Sequence, residues 1–248
     1  MHVRMPETEA PVEPSVWRRP DRRVAIITGA GSGAGAAIAM AFASRGVRVL
    51  VSDVDYVLAG DVASLIRAQG GMAVAHRCDV SSDEQVASLF DRAEHEFGAL
   101  DFVVNNAGPR LVDESPVHWP RILDVNLQGT LRVTARAVDR MQERGGSIVN
   151  VASAQGLGFR ADDQPVYAAA KAGVLRFTSG LGGLRQSSGI RVNAIAPDRI
   201  DSPESFAEVV FALAVRESLG GRVVLYTAGS EPALVPDDEP GIGPCEAF

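Results

Sequence analysis

One lysine in 248 residues, against twenty-three arginines, is the sharpest scarcity in this chain. The two cations are interchangeable on most solvated surfaces, so the skew reflects a bias toward Arg. A lysine that survives such a bias marks a position where Arg cannot substitute, or survives by chance. Cysteine is almost as scarce: Cys78 and Cys245 make no disulfide framework, which points to a reducing cytoplasm. Long apolar runs are missing too. Residues 24–27 and 47–51 fall far short of the roughly 20 needed to span a bilayer, so no membrane is expected as a partner. Residues 1–23 mix Pro, Glu and Arg without an apolar stretch, so they are not expected to act as a secretory signal. Thirty-one acidic residues against twenty-four basic ones give a formal charge of −7 with no basic block, so nucleic acid is not an expected partner.

What is present alternates short apolar runs with longer helical stretches. Strands are expected at 24–27, 48–51, 72–77, 100–104, 147–151, 190–195 and 222–226. Helices are expected at 35–44, 60–69, 83–97, 120–142, 167–179 and 205–216. The alternation implies βαβ units: a single α/β domain of the Rossmann type, with a doubly wound parallel sheet and helices on both faces. Residues 22–229 form that dinucleotide-binding domain, 1–21 an N-terminal arm, and 230–248 a C-terminal tail, the ends being rich in Pro and acidic residues.

Thr28-Gly29-Ala30-Gly31-Ser32-Gly33-Ala34-Gly35 follows the first strand and opens the first helix. Glycines there allow a tight turn and let a pyrophosphate approach the helix N-terminus, whose free N–H groups favour anions. Asp53 ends the second strand eighteen residues beyond Gly35, where a carboxylate can accept both hydroxyls of an adenosine ribose. Together the two features indicate a bound dinucleotide. A second pattern is Tyr167-Ala168-Ala169-Ala170-Lys171, whose spacing of four puts a phenol and an ammonium on one helical face. A nearby cation favours phenolate and so lowers a tyrosine pKa that is otherwise near 10. The lysine here is the chain's single one. With three tyrosines in 248 residues, a randomly placed lysine would fall four after one of them about once in eighty times. Ser153, at the end of a strand and fourteen residues before Tyr167, is placed to bond a substrate oxygen.

On these residues the chain resembles the short-chain dehydrogenase/reductase family over roughly 22–228. The glycine loop, with Gly29, Ser32, Gly33, Ala34 and Gly35, resembles its cofactor loop, and Asp53 its NAD-type ribose ligand. Asp79-Val80 resembles the pair that meets adenine, and Asn105-Asn106-Ala107-Gly108 is similar to the signature after the fourth strand. Asn126, Ser153, Tyr167 and Lys171 match its catalytic tetrad. The resemblance implies that Tyr167 is the acid/base, that Ser153 orients the substrate oxygen, and that Asn126 positions a relay water. It implies that Lys171 holds the nicotinamide ribose and lowers the Tyr167 pKa. Asn106, Ala107, Gly108, Pro197, Ile200 and Ser202 would join the cofactor contacts. The expected activity is NAD(H)-dependent interconversion of a secondary alcohol and a ketone, in a homodimer or homotetramer, with no metal. A dinucleotide-binding protein with little turnover, and a lyase or epimerase using the same tyrosine, stay open as alternatives.

The departures from the family pattern are informative. Pro197-Asp198-Arg199-Ile200-Asp201-Ser202 stands where the family has Pro-Gly and then Thr, and Pro203 leads at once into a helix. The helical lid over substrate is therefore absent or a few residues long, and the site should be open, with residues 232–248 as partial shielding. Pocket-lining positions are expected at 109–112, 155–159 and 199–202. Gly180, Gly182 and Gly183 should stop the helix after Lys171 early.

Overall fold

The computed structural model describes residues 23–108, 115–158 and 164–236. The expected arm at 1–21, the pocket positions 109–112 and Phe159, and the tail from 237 onward lie outside the described residues. The elements run β1 (Val24–Thr28), α1 (Gly33–Ala43), β2 (Arg48–Asp53), α2 (Tyr56–Ala68), β3 (Ala73–Arg77), α3 (Asp83–Phe97) and β4 (Phe102–Asn105). A short turn of helix precedes α4 (Trp119–Leu123), and α5 (Thr130–Met141), β5 (Gly146–Val151) and α6 (Pro165–Gly180) follow. The chain then forms α7 (Leu184–Ser188), β6 (Ile190–Pro197), α8 (Pro203–Val215), β7 (Val223–Tyr226) and β8 (Ala233–Leu234).

One sheet holds all eight strands in the order β3-β2-β1-β4-β5-β6-β7-β8. Seven are parallel, and β8 pairs antiparallel with β7 through Val224 opposite Leu234. Alternate strand residues face opposite sides. Ile27, Val49, Val104 and Val149 pack against Ile38 and Phe42 of α1 and Phe206 of α8. Ile26, Leu50, Val103 and Ile148 pack against Leu89 and Phe90 of α3 and Val133 of α5. Helices therefore cover both faces, which explains the near-continuous apolar strands. The strand order reverses between β1 and β4, and in open α/β sheets ligands bind at that switch, beyond the C-terminal strand ends.

Two expected helices need correction. The helix read at 120–142 is broken by a π-helical turn over Asp124–Gly129, between α4 and α5. The helix read at 60–69 begins at Tyr56, because Asp55 caps it by accepting from the N–H groups of Val57 and Leu58. The parallel, doubly wound sheet is as expected, and β8 (Ala233–Leu234) adds one antiparallel edge strand to it. Those two residues fall within the segment read as tail, and the Val235 N–H extends the pairing by donating to Val223 O at 2.9 Å. By contrast, α6 does stop at Gly180. Of the glycines beyond it, Gly182 is closely approached by Gly221, where a methyl would lie 2.7 Å from Gly182 Cα, whereas the space around Gly183 is open.

Candidate functional site

At the switch point the backbone itself demands glycine. Gly29 has φ 62°, and a methyl there would stand 2.8 Å from Ala107 Cα. A methyl on Gly35 would stand 2.0 Å from Gly29 O, an impossible contact. Above Gly33, by contrast, the space is open. Ser32 precedes α1 in extended conformation and its hydroxyl makes no capping bond to the helix. The N-terminus of α1 thus carries its partial positive charge at the edge of a cavity, a setting that favours phosphate. The loop is clamped to β4. Thr28 Oγ1 accepts from the N–H groups of Asn106 and Ala107, each at 3.1 Å. Asn106 Nδ2 donates back to Thr28 O at 3.1 Å and Gly29 O at 2.9 Å. Asn106 therefore holds the loop through its side chain.

Asp53 closes the other side of the loop. Its Oδ2 accepts the Gly31 N–H at 2.9 Å, and its Oδ1 accepts the Asp55 N–H at 3.0 Å. A cavity of about 510 Å³ opens beside it. Gly29, Ser32, Gly33, Ala34, Gly35, Asp53, Asp79, Val80, Asn106, Ala107, Gly108 and Asn126 all line this cavity. Twelve residues singled out from five separate stretches of sequence thus line one cavity. The cradle suits a dinucleotide: bare backbone at the glycines, a helix N-terminus for phosphate, and a carboxylate at the end of β2 for a ribose.

Two further wall residues carry chemistry that sequence reasoning missed. Arg121 of α4 donates from Nη2 to Asp79 Oδ2 at 2.8 Å and from Nη1 to Ser81 Oγ at 2.6 Å. Ser81 in turn donates its hydroxyl (2.6 Å) and N–H (3.0 Å) to Asp79 Oδ1. Burial pulls the Asp79 carboxyl upward, but the Ser81 bonds and the Arg121 guanidinium outweigh it and hold the group below its ordinary range. Cys78 also lines the wall, and burial with the Asp79 charge beside it pushes its thiol up to about 12. It is therefore no nucleophile near neutrality.

The tetrad residues come from three elements. Tyr167 and Lys171 lie on α6, 7% and 2% exposed. Lys171 Nζ stands 5.5 Å from the Tyr167 ring centroid and donates to Val151 O at 3.0 Å. Burial pushes its ammonium down to about 8. Ser153, 7% exposed, follows β5 and accepts the Gln155 N–H at 3.3 Å. Asn126 lies in the π-helical turn, and its Nδ2 donates to Ile122 O at 3.1 Å. Such turns are frequent at functional sites because the extra residue re-aims a side chain. Gly108 ties these positions together. A methyl on it would lie 2.5 Å from Asn126 Oδ1 and 3.2 Å from Lys171 Nζ, so both groups close on one glycine at the cavity wall.

Ser153, Tyr167 and Lys171 are not among the residues that line this cavity, and neither are Pro197, Ile200 and Ser202. Pro197 ends β6 opposite Tyr226, and the exposed Asp198 donates its N–H to Tyr226 O at 2.9 Å. Arg199 and Asp201 pair with each other in solvent. Ile200 packs on the apolar cluster under α1 and α8. Ser202 caps α8, accepting the Ser205 N–H at 3.1 Å and donating to Glu204 Oε2 at 3.1 Å. Pro203 then starts α8, so only residues 198–202 separate β6 from that helix.

Among the described residues no helix is long and apolar enough to cross a membrane, and no cluster of His, Cys, Asp or Glu is placed to hold a metal. A family model described as short chain dehydrogenase matches residues 23–209. The cis-4-hydroxycyclohexanecarboxylate dehydrogenase of Sinomonas cyclohexanicum is 40% identical over 208 residues, 80% of this chain and 82% of that protein. The 7alpha-hydroxysteroid dehydrogenase of Escherichia coli K12 is 32% identical over 185 residues, 73% of this chain and 72% of that one. Among solved structures, a short chain dehydrogenase from Mycobacterium avium superposes with a TM-score of 0.79 at 31% identity, covering 87% of this chain and 86% of its own.

Proposed function

The chain belongs to the short-chain dehydrogenase family of oxidoreductases, and from that premise we propose that it interconverts a secondary alcohol and a ketone with NAD(H). The observation that carries the reading is the closure of Lys171 and Asn126 on Gly108, at the edge of a cavity whose other end is the glycine loop. A bound nicotinamide dinucleotide supplies hydride acceptance and donation there. Gly29–Gly35 and Asp53 would hold it at the pyrophosphate and the adenosine ribose. Tyr167 exchanges a proton with the substrate oxygen, and the Lys171 ammonium beside it favours phenolate. Ser153 directs a hydrogen bond at the same oxygen. Asn126 keeps its amide at the wall where a relay water would enter.

Asp53 supports NAD over NADP. A 2′-phosphate would meet its carboxylate, and no Arg or Lys follows at 54–60 to compensate. Titration of NADH and NADPH by fluorescence tests this: NADH should bind at least ~10-fold tighter, and Asp53→Ala should narrow the gap. Equal binding of the two by the wild type would refute the preference. Turnover is tested with a panel of ring ketones and NADH, because two relatives are named for hydroxyl groups on rings. A second reading, a binding protein with little turnover, is favoured by the short 198–202 segment that leaves no lid and by Ser202 being engaged as a cap. NADH binding without oxidation by any ketone would select it. A homodimer or homotetramer remains our expectation for the assembly, to be measured by sedimentation.

A further inference from the structure

We propose that Arg121 is a base-reading residue of the dinucleotide site, and that with Asp79 it makes the site tolerant of a 6-oxopurine as well as adenine. The inference rests on the dinucleotide reading above and on the resemblance that puts Asp79 beside the base. It begins with the inventory of the pair. A guanidinium has five N–H donors and no acceptor, while a carboxylate has about four acceptor positions and no donor. Arg121 commits one N–H to Asp79 and one to Ser81. Asp79 takes one bond from Arg121 and two from Ser81. Three donors and about one acceptor position are left on the pair. Both residues line the cavity, and the Arg121 side chain is 52% exposed.

A carboxylate alone reads adenine in one sense only. It accepts from the 6-amino group, and it repels the 6-carbonyl oxygen that hypoxanthine carries in the same place. Hypoxanthine also carries an N1–H where adenine has a bare N1. A guanidinium fixed beside the carboxylate answers both changes: one of its remaining N–H groups can donate to the carbonyl, and the remaining acceptor position of Asp79 can take the N1–H. Ser81 matters to the argument as well. Its hydroxyl bonds both Asp79 Oδ1 and Arg121 Nη1, so the two charged ends are fixed relative to each other. The held-down Asp79 carboxyl keeps the pair ionised on both sides near neutrality. The pair also bridges two walls of the cavity, α4 and the turn after β3, which are separated by 42 positions in sequence. The competing account is a surface ion pair that shapes the rim and touches no ligand, worth next to nothing in solution.

The test is a ratio of dissociation constants, measured by fluorescence titration of the full chain without substrate. The probes are NADH and reduced nicotinamide hypoxanthine dinucleotide. For the wild type the two should bind within about 3-fold of each other. In Arg121→Met, which keeps the aliphatic stem, the hypoxanthine dinucleotide should weaken about 10-fold or more while NADH changes by less than about 3-fold. Arg121→Lys should recover part of the loss. A ratio that Arg121→Met leaves unchanged, or an equal loss for both dinucleotides, overturns base reading and leaves Arg121 a rim residue. If neither dinucleotide binds the wild type, the functional reading itself fails, and that outcome is distinct from the other two.

Discussion

Replacing Lys171 with methionine should make the ligand-free protein more stable and catalytically dead. The ammonium is 2% exposed, and its hydrogen bond among the described residues goes to one neutral carbonyl, Val151 O. Burial pushes it from 10.5 to about 8. That fall corresponds to about 3 kcal/mol against the charged form, at roughly 1.4 kcal/mol per pH unit. The sign follows from proton counting. Between pH 8 and 10.5 the unfolded chain keeps the proton that the folded chain has released, so wild-type stability rises with pH across that window. Below pH 8 both states hold the proton and the folded state bears the whole penalty. Methionine fills similar volume without the charge, but it leaves Val151 O short of a donor, a loss of about 1 kcal/mol. The variant should therefore be about 2 kcal/mol more stable near pH 7, with the gap closing toward pH 10. Urea unfolding of both proteins from pH 6.5 to 10, without dinucleotide, gives the difference directly, and contributions from other groups cancel. A variant no more stable than wild type at pH 7, or a gap that does not change with pH, would refute the reasoning.

Lys171→Arg keeps the charge but puts a larger planar group beside Gly108, where even a methyl on the glycine would lie 3.2 Å from Nζ, and it cannot release a proton in a relay. Turnover should fall at least ~100-fold; kcat within a factor of three of wild type would count against a catalytic Lys171. Tyr167→Phe should remove turnover while leaving the NADH dissociation constant within about 2-fold, since the main anchors lie at the glycine loop and Asp53. Two glycine variants make a matched pair read by NADH titration and thermal unfolding. Gly35→Ala drives a methyl to 2.0 Å from Gly29 O and should lower NADH affinity at least ~10-fold with a stability loss of about 1–3 kcal/mol. Gly60→Ala, in α2 with open space around it, should stabilise by about 0.5–1 kcal/mol and leave binding alone.

How much of this was legible in the sequence depended on whether the signal was local. The helix at 83–97 matches its expected limits, because Ser82 caps it and Val86, Leu89, Phe90 and Ala93 repeat at helical spacing. The glycine loop was legible because positive φ and backbone contact leave glycine as the fitting residue. The π-helical turn at Asp124–Gly129 was not, since one extra residue per turn barely disturbs apolar periodicity over 120–142. The start of α2 had a signal, the Asp55 cap, but Tyr56, Val57 and Leu58 are apolar and exposed and blurred the pattern. Arg121 had none at all. Its partners lie 40 and 42 positions away, and the pairing is visible only once α4 faces the turn after β3. The edge strand β8 is two residues long, too short for any period.

Agreement between distant segments raises the question of what keeps α5 and α6 in register, since one follows Asn126 directly and the other carries Tyr167 and Lys171. The answer lies beneath the cavity. Asn105 of β4 donates from Nδ2 to Thr134 Oγ1 of α5 at 3.0 Å and to Asn150 Oδ1 of β5 at 2.8 Å. Asn150 Nδ2 then donates to Thr178 Oγ1 of α6 at 2.9 Å, and Thr178 closes the chain on Val174 O at 2.8 Å. All four side chains are at most 3% exposed. Apolar contacts between helix and sheet tolerate sliding by fractions of an ångström, because dispersion is non-directional. A buried hydrogen-bond chain does not, since a broken link strands a polar group away from water at about 1–3 kcal/mol. The chain thus fixes both helices to neighbouring strands, and through them to each other. Thr134 sits two turns past Asn126, and Thr178 two turns past Lys171. The polar ladder therefore reaches each helix about 12 Å below its functional end, at the usual 1.5 Å rise per residue. That distance separates the polar ladder from the site, where Lys171 adds a second tie between α6 and β5 by donating to Val151 O at 3.0 Å.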